Sequence, residues 1–263
     1  MAVSVRDLRA WKSEGRRFAM LTAYDYPTAK ILDEAGIPVL LVGDTLAEVV
    51  LGYDTTLPVT MDAMIHHCQA VSRGAKNAHV VGDMPFLSYQ VSIEDGLRNA
   101  GRYLKEGGAQ SVKFEGPHPE LAEALSSRGI PVMGHLGLTP QSVHAMGGYR
   151  VQGRTDAAAL KLLNDAVELE QAGAFALVLE GVPMHLAREI TEKLAIPTIG
   201  IGAGPHCDGQ VLVVNDLLGL SDRTPPKFVK RYANVHEQML EAATTFRREV
   251  EEGAFPDDEH SYH

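Results

Sequence analysis

Only two cysteines, Cys68 and Cys207, occur in 263 residues. A disulfide framework is therefore excluded, and free thiols in a reducing compartment are expected. Long apolar runs are absent as well. The longest, such as residues 37–43, are strand-length, against the roughly 20 residues that cross a bilayer, and no basic segment with an apolar signal core opens the chain. The expectation is a cytoplasmic protein without a membrane span. Positive charge is in deficit, with 24 Lys and Arg against 34 Asp and Glu and a formal net charge of −10. Nucleic acid and anionic membranes reward clustered basic residues, so neither is expected as a partner, while a small anionic substrate at a locally positive site stays open. A nitrogen-rich zinc motif is lacking too. His66 and His67 fall inside a helix pattern without a matching ligand partner, and read as helix-face histidines.

What the sequence does contain is an alternation. Short apolar runs at residues 18–22, 39–43, 79–83, 111–115, 131–136, 175–180, 198–201 and 211–214 are separated by helix-like segments at 61–73, 92–106, 156–171 and 184–193. That order implies parallel strands joined by crossover helices. The runs "VLLV" and "ALVL" are apolar without alternation, as expected of strands covered on both faces. Five segments, among them "AGIPVLLVGD", "RGIPVMGHLG" and "AGAFALVLEG", repeat one grammar of helix end, glycine turn and strand. Eight such strands in a chain near the usual length of about 250 residues predict a single (β/α)8 barrel domain over 1–263. A doubly wound open sheet is the competing architecture, because alternation alone does not establish closure. An extra helix at 5–12 is placed to plug the barrel's N-terminal face, residues 227–252 read as a long terminal helix, and 255–263 as a frayed tail.

Catalytic groups of α/β barrels sit at the C-terminal ends of strands. Four of these runs end in a carboxylate: "LLVGD" in Asp44, "HVVGD" in Asp83, "SVKFE" in Glu115 and "LVLE" in Glu180. One alone reads equally as a helix cap or a loop ion pair. Four at one rim would repel each other unless a cation neutralised them, and a hard divalent ion such as Mg2+ suits an oxygen-only set. Lys113 lies two residues before Glu115, so the strand period puts both side chains on one face. Lys113 is read as an ion-pair partner, a clamp on a substrate carboxylate or a Schiff-base amine, and sequence does not separate these. His135, ending "PVMGH", is either a substrate contact or a core histidine. "GIGAGP" at 200–205 is either a phosphate cradle or a tight turn.

The segments "LTAYDYPTAKILDEAGI", "LLVGDTLAEVVLGYDTTLPVTMDAM", "VVGDMPFLSY", "SVKFEG", "PVMGHLGLTPQSV", "GGYRVQGR", "LVLEGVP" and "IPTIGIGAGPHCDGQVLV" occur in this order across nearly the whole chain. Together they closely resemble the 3-methyl-2-oxobutanoate hydroxymethyltransferases, also called ketopantoate hydroxymethyltransferases. The resemblance implies a TIM barrel of the phosphoenolpyruvate/pyruvate-binding superfamily, a homodecamer in bacteria. It also implies transfer of a one-carbon unit from 5,10-methylenetetrahydrofolate to 3-methyl-2-oxobutanoate, the first committed step of pantothenate synthesis. By resemblance, Asp44 and Asp83 are magnesium ligands that also face substrate, and Glu115 is a further metal-site carboxylate acting directly or through water. Lys113 and Thr45 match substrate-binding positions, and Glu180 matches the proton acceptor. Positions 45–48 read Thr-Leu-Ala-Glu where many members have Ser-Leu-Gly-Met. Tyr24, Tyr53 and Tyr149 are candidates, by position only, to hold the folate pterin. The rival activity is a magnesium-dependent 2-keto acid lyase or mutase on the same barrel. That group usually carries a reactive-cysteine loop such as "KKCGH", which this sequence lacks.

Overall fold

The structure, a computed structural model, describes residues 2–221 and 225–263. Eight strands form a closed, all-parallel barrel in sequential order: β1 (Phe18–Thr22), β2 (Val39–Val42), β3 (His79–Asp83), β4 (Ser111–Lys113), β5 (Val132–Gly137), β6 (Ala176–Glu180), β7 (Thr198–Ile201) and β8 (Gly209–Leu212). Closure comes from β8 pairing in parallel with β1, which excludes the open sheet. The helices are α1 (Val5–Ser13), α2 (Tyr26–Glu34), α3 (Leu46–Val49), α4 (Met61–Gly74), α5 (Ile93–Arg102), α6 (Pro119–Ser126), α7 (Val143–Met146), α8 (Asp156–Gln171), α9 (Met184–Lys193), α10 (Val214–Leu218) and α11 (Val235–Glu251). Among the described residues no helix is long and apolar enough to cross a membrane.

Local chemistry sets the helix starts. Asp25, Thr60, Ser92 and Thr155 each accept a backbone N–H from the first turn that follows, satisfying donors a helix start leaves without partners. Ser4 and Asp7 close a reciprocal capping box on α1. From α1, Leu8 and Trp11 enter one buried cluster with Phe18, Met20, Val81 and Val211 of the strands, so the predicted plug is present.

Several expected boundaries are corrected. Strand β8 begins two residues before the predicted 211–214, because Gly209 and Gln210, polar or small in sequence, still pair with β1 and β7. The expected helix at 92–106 divides into α5 and a wider π turn over Tyr103–Gly107, which stops at Gly108 in the left-handed region. Tyr103 there packs on Gly82 of β3, where any Cβ would collide with its ring. The terminal helix starts at Val235 rather than 227, since Pro225-Pro226 opens a turn instead.

Expectation placed one domain over 1–263. The chain divides into two compact units, Met1–Val213 with the whole barrel and Val214–His263 with α10 and α11. In the second unit the tail at 255–263 carries a short 3-10 turn, Asp258–His260. Its Phe255 ring lies 5.6 Å from both Phe246 and His260.

Candidate active site

The C-terminal rim of the barrel holds a cavity of about 80 Å3. All seven residues singled out from the sequence line it: Asp44, Thr45, Asp83, Lys113, Glu115, His135 and Glu180. The register explains the convergence, since Asp83 pairs with Lys113 across β3 and β4, and Gly137 with Glu180 across β5 and β6. Gly137 is required there. Its φ is +97°, and a Cβ would strike the Glu180 carbonyl, so only glycine lets β5 end this close to β6.

The polar half is tightly wired. Lys113 Nζ lies 2.8 Å from Asp83 Oδ1 and 3.2 Å from His135 Nδ1. The Asp44 backbone N–H donates to Asp83 Oδ2 at 3.2 Å. His135 Nδ1 lies 3.6 Å from Glu115 Oε1, and its Nε2 approaches Glu180 Oε2 to 3.3 Å without hydrogen-bond alignment. An ammonium at Nδ1 makes that nitrogen the acceptor, which leaves the ring proton on Nε2, facing Glu180. The opposite wall is apolar, built from Leu41, Val178, Ile201, Val211 and Val213.

Burial dominates the electrostatics. Asp44, Asp83, Lys113, Glu115 and His135 are each at most 4% exposed. Burial and the neighbouring Asp83 push Asp44 up to about 8, and burial with Asp44 raises Glu115 well above the carboxylate range. Burial works against the Lys113 ammonium, but Asp83, Glu115 and Asp44 outweigh it and hold its pKa above the ordinary value. Burial and Lys113 lower His135, keeping the ring neutral.

Four carboxylates line the cavity around one ammonium, and burial drives two of them, Asp44 and Glu115, to take up protons; a divalent cation would relieve that crowding. Asp83 Oδ1 is buried against the Lys113 ammonium at 2.8 Å. The donor set therefore fits a hard cation. Among the described residues no three His, Cys, Asp or Glu side chains form a cage by themselves.

Two residues escaped the sequence reading. Gln141, just past β5, donates from Nε2 to Asp44 Oδ2 at 2.9 Å, and its backbone N–H donates to Glu115 Oε2 at 2.9 Å. Tyr89 accepts the Glu115 N–H at 3.1 Å, and its hydroxyl reaches Gln141 Oε1 at 2.8 Å. Their only sequence signal was membership in the quoted segments "MPFLSY" and "LTPQSV". Of the pterin candidates, Tyr24 is buried while Tyr53 and Tyr149 are exposed. Partial desolvation and the carboxylates of Glu48 and Glu180 raise the Tyr149 hydroxyl to about 12. "GIGAGP" forms the β7–β8 turn, with Gly202 and Gly204 in the left-handed region, and only its Ile201 touches the cavity. His67 is structural, its Nδ1 2.6 Å from the Tyr24 carbonyl oxygen.

The closed, all-parallel eight-stranded barrel, with the acids gathered at its C-terminal rim, defines a (β/α)8-barrel protein. Solved structures of that kind superpose on it. A phosphonopyruvate hydrolase bound to oxalate and Mg++ matches with a TM-score of 0.62 at 13% identity, covering 97% of this chain and 92% of that one. A 2,3-dimethylmalate lyase, a PEP mutase/isocitrate lyase superfamily member, matches at 0.63 and 16%, covering 99% and 92%. At such identities they speak for the fold alone. Sequence is more specific: the family model for ketopantoate hydroxymethyltransferase matches residues 2–258, and the chain belongs to that family. The 3-methyl-2-oxobutanoate hydroxymethyltransferase of Thermobifida fusca (strain YX) is 61% identical over 262 residues, covering 99% of this chain and 93% of that protein. The protein of the same name from Syntrophus aciditrophicus (strain SB) is 58% identical over 258 residues, covering 97% and 94%.

Proposed function

We propose that this chain transfers a hydroxymethyl group to 3-methyl-2-oxobutanoate, with 5,10-methylenetetrahydrofolate as donor and magnesium as metal, giving 2-dehydropantoate and tetrahydrofolate. The observation that carries the reading is one cavity lined by Asp44, Asp83, Lys113, Glu115, His135 and Glu180, in a chain that matches the family along 2–258. The donor's methylene carbon, with the hydroxyl of one water, becomes the new hydroxymethyl group on C3. The bonds from that carbon to the two folate nitrogens break, and those nitrogens take up the equivalent of the C3 proton and the water's remaining proton, giving tetrahydrofolate. The homodecamer and the cytoplasmic setting belong to the same reading and rest on the family resemblance.

Asp44 and Asp83 would hold the cation, with Glu115 beside them. When bound, the cation supplies Lewis-acid stabilisation of the negative charge that develops on the substrate's keto oxygen as C3 is deprotonated. Lys113 adds a fixed positive charge to the same region, held in place by Asp83. The wall of Leu41, Val178 and Ile201 takes the substrate's isopropyl group and keeps water from the reacting carbon. Thr45 contributes a hydroxyl at the rim. Glu180 accepts the C3 proton. His135, neutral and presenting its Nε2 proton, orients that carboxylate without competing for the proton.

Glu180→Gln preserves the shape and removes the base. We expect keto-acid binding to persist while exchange of the C3 proton with deuterated solvent, followed by NMR, falls by about 100-fold or more. Exchange at the native rate would reject Glu180 as the proton acceptor.

A lyase or mutase reading keeps the same metal and keto acid but breaks a bond of the substrate instead. Both cysteines are buried, Cys68 at the α4–π-turn contact and Cys207 within the β7–β8 connection against Gly200, and neither is among the residues lining the cavity. Hydroxymethyl transfer is therefore the better-supported reaction.

A further inference from the structure

Gln141 is 4% exposed and every hydrogen-bonding position of its amide is used. Nε2 donates to Asp44 Oδ2 and to the Met84 carbonyl, both at 2.9 Å. Oε1 faces the Tyr89 hydroxyl at 2.8 Å and Gln90 Nε2 at 3.1 Å. Two acceptors on one end and two donors on the other fix which way the amide points. The Gln141 backbone N–H holds Glu115 Oε2, so one residue grips two acids that arrive from different strands.

We propose that Gln141 is a positioning residue that prepares Asp44 for the metal, pinning one carboxylate oxygen and leaving the other to face the cavity. The inference rests on the reading of Asp44 and Asp83 as the cation-holding pair.

Its physical logic follows from burial. A carboxylate at 4% exposure beside Asp83 is disfavoured as an anion and free to rotate toward any donor. A neutral amide donor stabilises the charged form and removes the rotational freedom, without supplying a cation that would compete with the metal. Lysine or arginine here would form an ion pair with Asp44 instead. The location is set by local sequence. Pro140 opens a 3-10 turn, Pro140–Ser142, and its fixed φ turns the chain back over the rim so that Gln141 reaches inward. Groups that hold a metal ligand from behind typically change metal affinity 10- to 100-fold when removed.

Gln141→Met keeps the length and volume of the side chain and deletes its hydrogen bonds. Calorimetric titration with magnesium alone should show the dissociation constant raised by about tenfold or more. The C3 exchange rate at saturating magnesium should fall by a smaller factor than the affinity. A residue that merely packs would lower the melting temperature and leave the magnesium affinity of the folded protein unchanged, and that result would overturn the proposal. If Gln141→Met does not fold, Tyr89→Phe removes one anchor of the amide and should weaken magnesium binding about threefold; native affinity there overturns the proposal equally. Asp44→Asn, titrated alongside, separates the two levels. Native affinity in Asp44→Asn refutes the metal reading itself, whereas lost affinity there with native affinity in the Gln141 variant refutes only the positioning role.

Discussion

Val178 and Glu180 share one face of β6, two residues apart, so a single strand supplies the cavity with both an apolar wall and a carboxylate. Truncation of the wall tests how the cavity selects its keto acid. Val178→Ala should admit 3-methyl-2-oxopentanoate, one methylene larger, and shift the ratio of kcat/KM values toward it by about tenfold. An unchanged ratio would mean the isopropyl group rests elsewhere. The acids were legible in sequence because each closes an apolar run, a pattern that strand geometry converts directly into a shared rim. Lys113 was legible for the same reason, through its spacing from Glu115. Gln141 and Tyr89 were not, because an amide and a phenol in irregular segments carry no periodicity. Their burial depends on how the chain after β3 and β5 folds back over the barrel mouth, which no local rule specifies. His135 could be placed but not interpreted: its neutral state follows from burial and from Lys113, a neighbour only in space.

At the scale of elements, strands of both-face-apolar character were found closely, with β1, β3 and β7 reproduced to the residue. β8 shifted, since Gly209-Gln210 joins the ladder by backbone pairing alone and has no apolar side-chain signal. The π turn at Tyr103–Gly107 was invisible for a related reason. It exists to seat Tyr103 on Gly82, a contact between distant segments. Helix α1 carries a quantitative expectation. Leu8 is fully buried in the barrel's interior cluster, so Leu8→Ala should cost about 2–5 kcal/mol in chemical denaturation, and a loss below about 0.5 kcal/mol would show that α1 is not a plug. The segment before α1 is tied to the barrel by His79, whose Nδ1 meets the Val3 carbonyl at 3.1 Å and whose Nε2 meets Ser111 Oγ at 2.8 Å. Burial lowers His79 to about 4 from an ordinary 6.5, so the folded chain holds it neutral. A depressed histidine contributes its full stability above pH 6.5 and loses it as the pH falls toward 4. Between pH 7.5 and 5 the loss amounts to about 2 kcal/mol. Thermal melts across that range should show this drop in the native protein and a shallower one in His79→Gln; parallel curves would remove His79 as its source.

Across the whole molecule, alternation of elements predicted the barrel, and what it left open was closure. That is decided by β8 meeting β1, a contact between residues nearly two hundred positions apart. The gathered rim depends on closure too, because only a closed sheet sets the ends of β2, β3, β4 and β6 around one cavity. The central claim is that this gathered set, loaded with magnesium, makes a carbon nucleophile from a 2-keto acid and joins it to a one-carbon donor. The most direct measurement is an assay of the purified protein with 3-methyl-2-oxobutanoate and 5,10-methylenetetrahydrofolate, run with magnesium and again after its removal by chelation. The account predicts 2-dehydropantoate and tetrahydrofolate in equal amounts with the metal, and loss of both on chelation with recovery when magnesium is restored. Cleavage of the keto acid without consumption of the folate, or product formation indifferent to chelation, would contradict it.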